Sequence, residues 1–103
     1  MTLEELKIRC KENNIQYAYG IFKEVVEPPH LVAITRDTDN FMADNIVYNK
    51  NIPIQLDYTY IDKDIETENK IENIILRDIA WNKTEETYLA DEEVWQVSYF
   101  FEI

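Results

Sequence analysis

From residue 52 to residue 60, Ile52, Ile54, Leu56, Tyr58 and Tyr60 alternate with Pro53, Gln55, Asp57 and Thr59. Apolar side chains at every second position mark a strand with one buried face, which predicts a strand over residues 52–61. The same period returns at residues 15–22, through Ile15, Tyr17, Tyr19 and Ile21, with Gly20, the chain's only glycine, near the end. It returns again at residues 94–103, where Trp95, Val97, Tyr99, Phe101 and Ile103 share a face opposite Gln96, Ser98 and Glu102, and Phe100 breaks the pattern. Residues 31–35, LVAIT, form a nearly continuous apolar run and predict a strand covered on both faces, in the middle of the sheet. Shorter strands are expected at 46–48 and 86–89. Asn49, Lys50 and Asn51 supply turn chemistry that would fold the strand at 46–48 onto 52–61 as a hairpin. Pro53, which lacks a backbone donor, predicts that this strand starts at a sheet edge.

Two segments change the period. Thr2 followed by Glu5 is a capping box, and Leu3, Leu6 and Cys10 fall on one helical face, so a helix is expected over residues 3–12. Ile8 lies off that stripe, and Asn13 and Asn14 suit the helix end because Asn tolerates the left-handed conformation. After Asp62 and Asp64, Ile65, Ile71, Ile74, Ile75 and Ile79 recur at helical spacing, with Glu66 and Glu68 in the first turn where they favour the helix dipole. A main helix over about 65–80 follows, ending at residues 82–84, with a turn at 90–93. The order α-β-β-β-β-α-β-β predicts a single α+β domain: two helices on a mainly antiparallel sheet of five to six strands.

A chain of 103 residues with 46% hydrophobic side chains can bury one core and has no room for a second. Its charge narrows the partners. Ten basic residues against 21 acidic ones give a formal net charge of −11, spread along the chain. Such a surface repels phosphate backbones and anionic membranes, so binding to either by charge neutralisation is disfavoured. Cys10 is the only cysteine, which excludes an intrachain disulfide, and no apolar run approaches the length needed to cross a bilayer. The chain is expected to be soluble and to stay where it is made unless it is built into a larger particle.

Little here points to catalysis. Asp37, Asp39, Asn40 and Asp44 stand close together, but the calcium loop they suggest needs a ligand at its fifth position and glycine at its sixth, where Phe41 and Met42 stand. One histidine, His30, and one cysteine on a helix stripe do not make a nucleophile, base and orienter. One glycine cannot make a phosphate loop. No metal, no cofactor and no enzyme activity are expected. Phe41 and Met42 in a polar loop are instead either tucked over the protein's own sheet or offered to a partner.

The run Asp39-Asn40-Phe41-Met42-Ala43-Asp44, Tyr48, the strand Ile54-Gln55-Leu56-Asp57-Tyr58-Thr59, Lys63-Asp64 opening a Glu-rich helix, and the closing Val94-Trp95-Gln96-Val97 together resemble the tail-terminator proteins of long-tailed bacteriophages and prophages. These are also called tail-completion or minor capsid proteins, and they sit at the head-to-tail joint. The resemblance implies a protomer that assembles as a ring, typically hexameric, capping the tail tube and docking it to the head connector. Its partners would be copies of itself, tail-tube protein and connector protein, with DNA passing nearby and no membrane. It would reside in the virion tail or neck, and in the host bacterial cytoplasm before assembly. The resemblance makes Asp37, Asp39, Asn40, Phe41, Met42 and Asp44 the candidate partner-binding residues. Asp57 stands where relatives carry an aromatic, which leaves the register of contacts open. The charge also fits a second class, a small acidic inhibitor or DNA mimic covering a basic partner surface. A mimic concentrates its carboxylates on one face, whereas here they are interspersed with apolar strand positions.

Overall fold

A computed structural model describes residues 1–36 and 52–103. It shows an α+β domain in which two helices pack on a mixed sheet of six strands. Helix α1 spans Leu3–Glu12. The Oγ1 of Thr2 accepts the Glu5 amide at 3.1 Å, satisfying one of the donors a helix leaves free at its start. At its other end the Asn13 side chain donates to the Arg9 carbonyl at 2.8 Å, and Asn14 takes φ 58°.

Strands β1 (Gln16–Tyr19), β2 (His30–Thr35), β3 (Pro53–Tyr60), β4 (Asn82–Lys83), β5 (Thr87–Leu89) and β6 (Val94–Glu102) make the sheet. The order is β1-β2-β3-β6-β4, with β5 also on β6; β1 and β2 run parallel and every other pair antiparallel. Strand β1 is shorter than its alternation predicts. Gly20 at φ 83° turns the chain away after donating to the Ala33 carbonyl at 2.8 Å, which leaves Ile21 exposed.

Three sheet expectations are corrected. Strand β2 is not the middle of the sheet, since β3 is, and β2 is not covered on both faces: Leu31 and Ala33 are buried while Val32 and Ile34 are half-buried. Strand β3 does not start at an edge. Pro53 is tolerated because it is the first strand residue, and its missing N–H would face Arg36, where the β2 ladder ends. The partners of β3 are β2 and β6. The strand expected at 46–48 and the turn at 49–51 lie outside the described residues.

Helix α2 (Ile65–Lys70) begins on the Asp64 carboxylate, which accepts from the Glu66 amide at 3.1 Å and the Thr67 hydroxyl at 2.8 Å. It continues as a π-helical segment, Ile71–Ile75, and ends at Leu76, short of the expected residue 80. The Leu76 amide donates five residues back to Ile71 at 2.9 Å. This wider turn advances each residue by a smaller angle than an α-helix does. Ile74 therefore rotates out to solvent and Leu76 rotates in, to stand buried beside Ile71 and Ile75. Ile65, at the first helical position, is exposed as well, so the expected isoleucine face is corrected at both. Because the helix stops early, residues 82–83 are free to pair with Phe100 and Tyr99 as β4, where a helix end was expected.

Register places Leu31, Ala33, Ile54, Leu56, Tyr58, Tyr60, Val97, Tyr99 and Phe101 on one sheet face, and all are buried in a single cluster with Leu6 and Cys10 of α1 and with Ile71, Ile75 and Leu76. Trp95 shares this face but stands beyond the helices, 38% exposed, with its ring 5.1 Å from that of Tyr88. The opposite face, with Gln16, Ala18, His30, Val32, Ile34, Gln55, Asp57, Thr59, Gln96, Ser98 and Phe100, carries no helix among the described residues.

Candidate docking surface

Alternation decides which side chains reach the open face. Gln55, Asp57 and Thr59 of β3 stand beside Phe100, Ser98 and Gln96 of β6, so the strictest strands present a polar stripe between them. Asp57 anchors it. Its Oδ1 accepts from Gln55 Nε2 at 2.9 Å and from Ser98 Oγ at 2.5 Å, leaving Oδ2 without a donor among the described residues. Toward the other end, the Arg36 guanidinium lies 4.8 Å from the centre of the Phe100 ring, a cation–π contact.

At the His30 end this face is concave. A groove of ≈ 460 Å³ runs between the β1–β2 connection and the β5–β6 turn, walled by Val25, Val26, Pro28, Val32, Leu89 and Val94. Its polar lining is His30, Asp57, Thr59, Glu92 and Gln96. Among the described residues no lysine or arginine lines it. The Nδ1 of His30 is buried without a partner among the described residues, and the ring packs edge-on against Phe22 at 5.1 Å. Burial holds the imidazole below its ordinary pKa, and the nearby Glu92 charge acts in the opposite direction.

The open face carries a serine, an aspartate and a histidine without forming a relay. Ser98 gives its proton directly to Asp57, so no imidazole stands between hydroxyl and carboxylate. Cys10 is fully buried, and burial pushes its thiol up to about 12, which keeps it protonated at neutral pH. No group of three or more His, Cys, Asp or Glu side chains is gathered to hold a metal among the described residues.

The covered side holds its charges differently, in three locks. Arg9, with its stem buried, donates to the Ile75 carbonyl at 2.8 Å and to both Asp78 oxygens at 2.9 and 3.1 Å, tying α1 to the end of the π segment. Glu72 accepts from Tyr99 and from Lys83, each at 2.7 Å. Lys63 bridges Glu68 at 2.7 Å and Glu86 at 2.6 Å, and Glu86 also accepts from the Tyr60 hydroxyl. Those two donors, Lys63 first, lower the pKa of Glu86. Glu86 owes its place to a β-bulge: Lys83 pairs with Tyr99 and Thr87 with Gln96, four steps along one strand against three along the other.

The partner-binding residues expected from sequence, Asp37, Asp39, Asn40, Phe41, Met42 and Asp44, all lie outside the described residues. The segment that carries them is flanked by a closed pair, Arg36 donating its amide to the Pro53 carbonyl at 2.9 Å. What sequence reasoning missed is the groove, whose walls come from three separate stretches of chain, residues 25–32, 57–59 and 89–96. Its one local signal was the polar series Gln55, Asp57 and Thr59 opposite a buried row. No family model matches the chain, and no curated protein or solved structure shows significant similarity to it. No helix among the described residues is long and apolar enough to cross a membrane.

Proposed function

We propose that this protein is a structural component of a long-tailed phage or prophage that closes the tail tube and joins it to the head connector. It works as a ring of copies, hexameric in the finished tail, by presenting shape and charge without making or breaking a bond. The observation that carries this reading is the asymmetry of the sheet: among the described residues every lock and both helices serve one face, while the other is left open, grooved and flanked by edge strands. Open edges and an uncovered face suit contacts between copies and docking to neighbours. The sequence resemblance supplies the setting, and the charge of −11 suits a ring whose lumen lets DNA slide past without being held.

Native mass spectrometry of the full chain, alone and with tail-tube protein, tests it. Rings that form alone or on the tube are the expected result. A protein that stays monomeric with tube and connector proteins present, and instead blocks a nuclease or covers another basic enzyme, would overturn the reading in favour of an acidic inhibitor.

A further inference from the structure

We propose that the groove on the open face receives a lysine or arginine side chain from a partner protein. The inference deepens the docking reading by naming the partner's chemistry, and it rests on that reading without requiring a closed ring. A long cationic side chain has an aliphatic stem and a charged head, and it buries the first only where the second finds a carboxylate. The groove offers both. Val25, Val26, Val32 and Val94 supply an apolar wall, with Val25 wholly exposed as the surface stands. Asp57 and Glu92 supply the charge, and Oδ2 of Asp57 has no donor among the described residues.

Charge complementarity selects this occupant over an apolar or anionic one. Among the described residues the groove is lined by two carboxylates and no cation. The other clustered carboxylates, Glu68, Glu72, Asp78 and Glu86, are each answered by a lysine or arginine within the chain. A neutral apolar ligand would strip water from Asp57 and Glu92 with nothing in return, and an anion would be repelled. An incoming guanidinium or ammonium makes charge-assisted hydrogen bonds to them.

His30 provides the test, because it is the only histidine in the chain and lines the groove, so its ring Cε1 proton is a single assignable NMR signal. The full-length protein is titrated with acetyl-Ala-Arg-Ala-Arg-Ala-amide and with the same peptide carrying citrulline for arginine, equal in shape but uncharged. The arginine peptide is expected to move the His30 signal to saturation, with binding weakened about tenfold for citrulline and similarly in Glu92→Gln. Glu4→Gln, on the far helix, removes the same charge and is expected to bind as the native protein does. Asp57→Asn is expected to weaken the arginine peptide as Glu92→Gln does, with the fold checked by circular dichroism. An unmoved His30 signal, or equal weakening by Glu4→Gln and Glu92→Gln, overturns the proposal, the latter because it reduces binding to diffuse attraction by net charge. Ring assembly is read by mass and groove occupancy by His30, so either idea can fail without the other.

Discussion

The two faces of this sheet are built from the same strands, residue by residue, yet they are held by opposite rules. On the covered face Ile54, Leu56, Tyr58, Tyr60, Val97, Tyr99 and Phe101 sit against two helices with at most 5% of their surface exposed. Their neighbours in sequence, Gln55, Asp57, Gln96, Ser98 and Phe100, are half-buried and bond mainly to one another or meet solvent. Packing sets the first group, because a close-packed interior responds to the loss of even one methylene. The second group is free of that constraint. Stability thus resides on one face, and the other can be shaped for contact with little cost to the fold.

The sharpest way to break this contrast is one substitution on each face of one strand. Leu56→Ala empties a fully buried site and is expected to lower unfolding free energy by about 2–5 kcal/mol. Gln55→Ala, one residue earlier, is expected to stay within about 1 kcal/mol, the worth of its one bond to Asp57. Urea unfolding at neutral pH measures both, and comparable losses would mean that the open face is also core.

Next in size is the lock between the helices. Arg9→Met keeps the buried stem but leaves the Ile75 carbonyl without its donor, at an expected cost of about 1–3 kcal/mol. The same pair gives a pH signature. The Arg9 guanidinium holds the Asp78 carboxyl at about 2, below its ordinary 3.8. A carboxylate depressed in the folded state adds stability that is complete above the unfolded value and fades as pH falls toward the folded one. The advantage of native protein over Asp78→Asn should therefore be constant at neutral pH and shrink between about pH 4 and pH 2. A difference between the two proteins that stays flat through that window would show that the pairing is absent in solution.

Within the covered face, two tyrosines sharpen the comparison further. Tyr99 donates to Glu72 at 2.7 Å, whereas the buried hydroxyl of Tyr58 makes no well-formed hydrogen bond among the described residues. Tyr99→Phe should cost about 1–2 kcal/mol, and Tyr58→Phe should be neutral or stabilising, because it removes a polar atom that burial leaves unpaired. Thermal melts of the two variants would order them, and the reverse order would move the lock from Tyr99 to Tyr58.

How much of this was legible in the sequence depended on how far each feature reaches along the chain. Helix α1 was readable to the residue, since Thr2, Glu5 and Asn14 are neighbours that act on their own helix. Strands β3 and β6 were readable because alternation is local. The end of α2 was not: the π turn at Ile71–Ile75 is held by a packed core and by Arg9, 66 residues away from the carbonyl it caps. Pro53 misled for a related reason, because at the last pair with β2 only its own donor is missing, while its carbonyl still accepts the Arg36 amide. The groove assembles from the segment before β2, from β3 and from the β5–β6 turn, so only the topology reveals it. The residues favoured by resemblance, Asp37 to Asp44, lie outside the described part of the chain, and the open face became the candidate surface on geometry alone.

The smallest expected effect tests the contrast from the open side. Gln96 lines the groove on β6, directly opposite Thr87 and Thr59, and its side chain takes part in no protein hydrogen bond among those described. Gln96→Ala should leave unfolding free energy within about 0.5 kcal/mol of the native value, the range of surface positions away from packing and locks. It should nonetheless alter the groove, and the His30 signal is expected to shift in the free protein while the melting curve does not move. If instead the melt drops by as much as in Arg9→Met, the half-buried row on the open face carries the fold as the covered row does. The division of labour between the two faces would then be lost.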